Sequence, residues 1–170
     1  MTPRLQIETL RRDHKVDGFD CGVPQLNRFL VVYALQAHQS GASRTFVALS
    51  DENIVGYYTL VVGEIAHVQA PERLKKGMAR HPIPLMVLAR LAVGRDSQRR
   101  GIGIGLVRDA MDRTLSVANH AGIRALAVQA KDDAAASFYV HLGFMQSPLD
   151  PRQFFMLVKE IIRMRSRATN

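Results

Sequence analysis

The chain has 170 residues, room for one domain, and its 47% apolar and 22% charged content is that of a globular protein able to bury a core. Lys and Arg outnumber Asp and Glu by 23 to 15, a formal charge of +8, which fits a polyanionic partner, nucleic acid being the commonest, or solubility combined with a phosphate-bearing cofactor. Cys21 has no partner for an internal disulfide, and the longest nearly uncharged apolar run, residues 83–89, is too short to span a bilayer. The N-terminus lacks the apolar region of a signal peptide, so the expected location is the cytoplasm, without membrane attachment.

In chain order, residues 6–10 read as a short strand. Residues 23–38 read as a helix, with Leu26, Phe29, Leu30, Tyr33, Ala34 and Ala37 at the helical period, Pro24 in the first turn and Gly41 past the end. Two β-rich runs, 44–49 and 54–62, flank the turn residues Asp51-Glu52-Asn53 and predict a hairpin. Residues 71–79 are polar and basic, either one short helix or a mobile loop. Residues 86–93 predict a buried central strand, and Pro82 and Pro84 stand at its start, where a strand tolerates them. A long helix over 101–120 carries Ile104, Val107, Met111 and Leu115 on one stripe. Strand 123–128, helix 132–142 and strand 154–158 complete a mixed β/α order around one sheet.

Between the central strand and the long helix lies Gln98-Arg99-Arg100-Gly101-Ile102-Gly103-Ile104-Gly105. Glycines let backbone approach a ligand, and the free N–H groups and dipole of a helix start favour an anion. Arg99 and Arg100 add positive charge beside them, so a pyrophosphate is the natural guest; the same glycines would also serve tight strand–helix packing alone. The spacing fits neither the dinucleotide fingerprint, since Leu106 stands where the third glycine is needed, nor a Walker loop.

Gln98-Arg99-Arg100-Gly101-Ile102-Gly103 resembles the Gln/Arg-x-x-Gly-x-Gly/Ala acetyl-CoA signature of the GNAT acetyltransferases. Ser137-Phe138-Tyr139 with Leu142-Gly143-Phe144 resembles that family's fourth helix and its exit. The resemblance covers nearly the whole chain. It implies an α/β (α+β) GNAT fold: a mixed, mostly antiparallel sheet flanked by helices, with acetyl-CoA at the splay of two central strands. It assigns cofactor contacts to Leu91, Ala92, Val93, Gln98, Arg99, Arg100, Gly101, Ile102, Gly103, Ile104, Gly105, Asp132 and Phe138. Tyr139, which by spacing alone reads as a core aromatic beside Phe138, becomes the acid that protonates the departing thiolate.

Further segments are similar to one branch, the GNAT toxins of bacterial toxin–antitoxin pairs. They are Phe19-Asp20-Cys21-Gly22 with Leu26-Asn27, Gly41-Ala42-Ser43-Arg44-Thr45, and Gly56-Tyr57-Tyr58-Thr59-Leu60. Pro82-Ile83-Pro84 running into residues 88–93 follows, then Ala130-Lys131-Asp132-Asp133 and Ser147-Pro148-Leu149-Asp150-Pro151. This resemblance implies acetylation of the α-amino group of aminoacyl-tRNA, translation inhibition, a ribbon-helix-helix antitoxin and a homodimer. The +8 charge agrees independently with a tRNA substrate.

Candidate phosphate contacts are Arg44, Arg73, Lys75, Lys76, Arg80 and Arg90. Residues 163–167, rich in Arg, form a basic C-terminal tail that either binds RNA or is disordered. Glu64 and His67 are alternative general bases, neither compelling, and an α-amino group of pKa about 7.7–8.0 has limited need of one. Six histidines and one cysteine show no ligand-like spacing, so no metal is expected. Two other readings stay open: a GNAT acting on a small amine or protein N-terminus, and a non-catalytic acetyl-CoA-binding module. All treat residues 1–170 as one domain.

Overall fold

The computed structural model describes residues 5–168; the six terminal positions that the single-domain reading includes lie outside it. Among the described residues seven strands form one sheet in the order β1-β2-β3-β4-β5-β7-β6. The strands are β1 (Gln6–Thr9), β2 (Arg44–Ser50), β3 (Asn53–Ile65), β4 (Ile83–Val93), β5 (Ala125–Gln129), β6 (Met145–Gln146) and β7 (Gln153–Leu157). The pairs β1–β2, β2–β3, β5–β7 and β6–β7 are antiparallel, and β4–β5 is parallel. The helices are α1 (Pro24–Arg28), α2 (Ala34–Ser40), α3 (Glu72–Lys75), α4 (Ile102–Ala118), α5 (Asp133–His141) and α6 (Val158–Ala168).

The chain makes two compact units, one from the residues up to Val61 with Ala89–Ala110, the other from Val62–Leu88 with the residues from Met111 on. In the first, Leu10, Phe19, Cys21, Leu30, Ala34, Val47, Tyr57 and Ala92 form the core. The helix expected over 23–38 forms, but a π-helical turn (Phe29–Tyr33) separates α1 from α2. Periodicity shows where a helix buries its stripe, not where one residue is inserted into its ladder. Gly41, at φ 81, ends α2 in the left-handed conformation that glycine adopts without strain.

In the second unit Ile65, Leu74, Ile83, Leu85, Ala125, Ala127, Phe155 and Leu157 pack together. The basic stretch 71–79 resolves as the single turn α3 followed by a loop. The two-residue strand β6 is too short to leave a period in the sequence. Residues 163–167 are not a loose tail: they belong to α6, which begins directly after β7, buries Ile161 and fixes Arg165 on Asp112 through bonds of 2.7 and 2.9 Å. The arginines point toward an unstructured tail, although Val158, Ile161 and Met164 repeat at helical spacing.

His38, buried at the end of α2, ties that helix to the hairpin. Its Nδ1 accepts the Thr45 N–H at 3.0 Å, its carbonyl accepts from Arg44 at 3.0 Å, and Thr45 shares a buried 2.8 Å hydroxyl bond with Thr59. Burial, then the nearby Arg44 charge, lowers the His38 pKa below its usual 6.5. The unfolded chain therefore takes up this proton more readily than the folded one, and stability falls as pH drops through and below the ordinary histidine range. Denaturant midpoints should decrease between about pH 7 and pH 5. The decrease should be smaller in His38→Asn, whose amide oxygen can accept from Thr45 without titrating; an equal decrease in both proteins would remove this role.

Candidate active site

The site residues divide between the two units. In the second unit β4 pairs with β5 over Leu85–Leu88; residues 89–93 of the same strand belong to the first unit. Those residues include Leu91, Ala92 and Val93. Gly56 of β3 fits closely against the same segment. A Cβ there would lie 2.9 Å from the Ala92 carbonyl oxygen and 3.0 Å from Leu106, so only glycine keeps the two strands and α4 in place.

Beyond β4 the chain turns through Arg95–Ser97 and enters α4 at Ile102. Arg99 has φ 64 and Gly101 φ 79, so the turn is left-handed at two positions. The space around Gly101 is open, with no atom within 4 Å of where a Cβ would stand. The leading N–H groups of α4, at Ile102, Gly103 and Ile104, have no carbonyl to accept them within the helix. No acidic residue occupies its first turn, and Arg99 and Arg100 are exposed beside it. Unpaired amides, a helix dipole and two exposed cations fit a pyrophosphate.

Side chains behind the turn hold its shape. The Gln98 amide donates to the Val93 carbonyl at 3.0 Å and the Cys21 carbonyl at 3.2 Å. Its side chain is thus engaged within the protein, a role the sequence reading did not assign. The Asp20 carbonyl accepts the Arg95 N–H at 2.9 Å, and the Asp20 carboxylate pairs with the Arg95 side chain at 3.2 Å. The same carboxylate accepts from Gly22 and Asn27, whose own oxygen takes the Cys21 N–H. These bonds, the Gly22 amide first, lower the Asp20 pKa. The Phe19-Asp20-Cys21-Gly22…Asn27 signature is therefore a clip on the anion turn. Its motif was visible in the sequence; its role was not, because the partners are about 70 residues away.

Arg44 and Arg90 also belong to the first unit. Arg90 lies over the Phe29 ring at 3.7 Å, and Phe29 stacks on Tyr57. In the second unit, Arg73, Lys75, Lys76 and Arg80 line one open depression of about 560 Å³ with His67 and Glu72. Two are held by carboxylates: Arg73 by Glu160 at 3.2 Å and Lys75 by Glu72 at 3.1 Å. Glu64 is exposed on β3, while His67 lies on the rim of the basic depression.

Tyr139 is in the second unit, on α5, and only 5% exposed. Its ring meets Phe138, Phe144 and Phe154 at centroid distances of 5.2, 5.4 and 6.2 Å. Burial pushes its pKa well above the ordinary phenol value, so the hydroxyl keeps its proton. Asp132, expected to touch a cofactor, accepts the Ala135 N–H at 2.8 Å and caps α5. Asp133 pairs with Arg152 at 2.8 Å, which ties the start of the helix to β7. An acceptor residue three positions before an unpaired helical N–H is a signal the sequence contains.

A model of the acetyltransferase (GNAT) domain matches residues 41–146. A tRNA-acetylating toxin of Mycobacterium tuberculosis (strain ATCC 25618 / H37Rv) is 43% identical over 145 residues, 85% of this chain and 87% of that protein. The structure of AtaT complexed with acetyl-methionyl-tRNAfMet matches with a TM-score of 0.87 at 30% identity, over 95% of this chain and 99% of that one. A tyrosine-to-phenylalanine variant of the AtaT toxin, bound to the C-terminus of the antitoxin AtaR and acetyl-CoA, matches with a TM-score of 0.81 at 30% identity, over 95% and 98%. These matches make the chain, with its glycine turn before α4, a member of the acetyltransferase (GNAT) family.

Proposed function

We propose that this protein is a toxin that transfers the acetyl group of acetyl-CoA to the α-amino group of aminoacyl-tRNA and so blocks translation. The observation that carries the reading is the 43% identity to a tRNA-acetylating toxin over 85% of the chain. A basic depression lined by Arg73, Lys75, Lys76 and Arg80 agrees with it.

In this reading the amides at the start of α4, with Arg99 and Arg100, hold the pyrophosphate, and the backbone of residues 91–93 pairs with the pantetheine arm. When bound, acetyl-CoA supplies the acetyl group as a thioester and leaves as the thiol. A backbone N–H near Leu91 or Ala92 stabilises the charge on the acetyl oxygen. Tyr139 Oη delivers its proton to the departing sulfur. Because burial makes a resident tyrosinate costly, Oη is reprotonated as the attacking nitrogen sheds its own proton. Neither Glu64 nor His67 is required in this scheme. Arg44, Arg90 and the cluster Arg73–Arg80 contact RNA phosphates. The partners that complete the reading are a ribbon-helix-helix antitoxin and a second copy of the chain, in the cytoplasm.

The test is transfer of labelled acetyl from acetyl-CoA to charged tRNA, with deacylated tRNA as control. Label on charged tRNA alone is expected. Label on polyamines or on peptide N-termini instead would replace the substrate and leave the family standing.

Tyr139→Phe should lower turnover by about 10²–10⁴-fold, the span of general acid–base catalysis, while acetyl-CoA affinity measured by calorimetry stays the same. Unchanged turnover would remove the acid. Charge reversal at Arg73, Lys75 and Lys76 should weaken RNA binding and reduce the slope of log K against log salt, by about 0.7–0.9 for each phosphate no longer neutralised. An unaltered slope would take the patch out of the RNA site.

A further inference from the structure

The helix that presents Arg73 and Lys75 is a single turn, Glu72–Lys75, too short to be stable by itself. The following N–H groups of Lys76 and Met78 reach the Glu72 and Lys75 carbonyls, and the Leu74 and Lys76 carbonyls take their donor from elsewhere. A residue distant in sequence supplies what is missing. Arg124, which directly precedes β5, donates from Nε to the Leu74 carbonyl at 2.8 Å and from Nη2 to the Lys76 carbonyl at 2.9 Å. A longer contact of 3.5 Å reaches the Arg73 carbonyl.

Arg124 itself is anchored at both backbone groups. Its N–H donates to the Pro84 carbonyl at 2.9 Å, and its carbonyl accepts from Val158 at 3.1 Å. The side chain thus connects the basic turn to the start of β4 and to the β7–α6 junction.

A cation at a helix C-terminus is favourable toward the dipole. Here, however, it stands against the backbone of a segment that already carries Arg73, Lys75, Lys76 and Arg80. Like charges so grouped repel one another, and a bound polyanion relieves that repulsion. Nε and Nη2 of the guanidinium are both engaged with carbonyls of the turn, so the side chain acts on the turn.

Resting on the proposal that this patch binds RNA, we infer that Arg124 is a positioning residue for substrate: it sets the geometry of the Arg73–Lys76 turn against the phosphodiester backbone. Lysine cannot reproduce this, because one ammonium lacks the planar fork that reaches two carbonyls at once.

The experiment compares Arg124→Lys with the wild-type full-length protein. The KM for charged tRNA should rise about tenfold, the effect of removing on the order of one charge-assisted hydrogen bond. The KM for acetyl-CoA and kcat at saturation should stay the same. In hydrogen exchange, the amides of Lys76 and Met78, which bond to the Glu72 and Lys75 carbonyls, should exchange faster, and those of the β5–β7 ladder should not. A tRNA KM unchanged in Arg124→Lys overturns the positioning role. Loss of protection throughout β5–β7, or a parallel rise in both KM values, also overturns it by making Arg124 a support of the fold. The charge reversal at Arg73, Lys75 and Lys76 runs alongside. If it too leaves the tRNA KM unchanged, the RNA reading of the patch fails; if it raises the KM while Arg124→Lys does not, only the positioning role fails.

Discussion

The hydrogen bonds of the Gln98 amide to the carbonyls of Val93 and Cys21 are the constraint on which the anion turn depends. Arg99 stands in a left-handed conformation that a non-glycine residue adopts only when its surroundings impose it. The Gln98 bonds directly precede it, and the Asp20–Arg95 pair fixes the chain four residues before it. The gain is preorganisation. Amides already aimed at an anion incur no ordering cost when the anion arrives. Gly56 extends the same constraint into the sheet, since the Ala92 carbonyl would collide with any larger residue there.

The features legible in the sequence were those written in short-range pattern. The period of α4, the hairpin around Asp51-Glu52-Asn53 and the glycine turn all announce themselves within a few residues. What was hidden depends on distant pairs. Nothing near Asp20 says that it will hold Arg95, and nothing near Arg124 says that it will cap a turn some 50 residues earlier. The Asp132 cap was readable by the capping rule but was masked by the family resemblance, which favoured a ligand role. The π-helical turn at Phe29–Tyr33 left no trace, since an inserted residue preserves apolar composition and disturbs only the ladder.

The competing readings make different demands on these residues. A pure acetyl-CoA-binding module needs the turn and the backbone of β4, but it has no use for a protonated phenol set among Phe138, Phe144 and Phe154. A transferase for small amines needs the phenol, but not four cations around one depression. The proposed polyanionic acceptor would use the cations as well as the phenol. Two carboxylates in that region, Glu160 and Glu72, pair with Arg73 and Lys75, which restricts the two cations in part.

The burial of Tyr139 has a consequence for substrate choice. With its pKa held above the usual phenol range, the phenol stays protonated at every pH at which a cell lives. Under the proposed function, the pH dependence of acetyl transfer then follows the acceptor amine, through the fraction of aminoacyl ester present as free base. Under that reading, esters of lower basicity present more free base near neutral pH but a weaker nucleophile, so inductive effects in the aminoacyl group bear on the acceptor alongside any pocket contact.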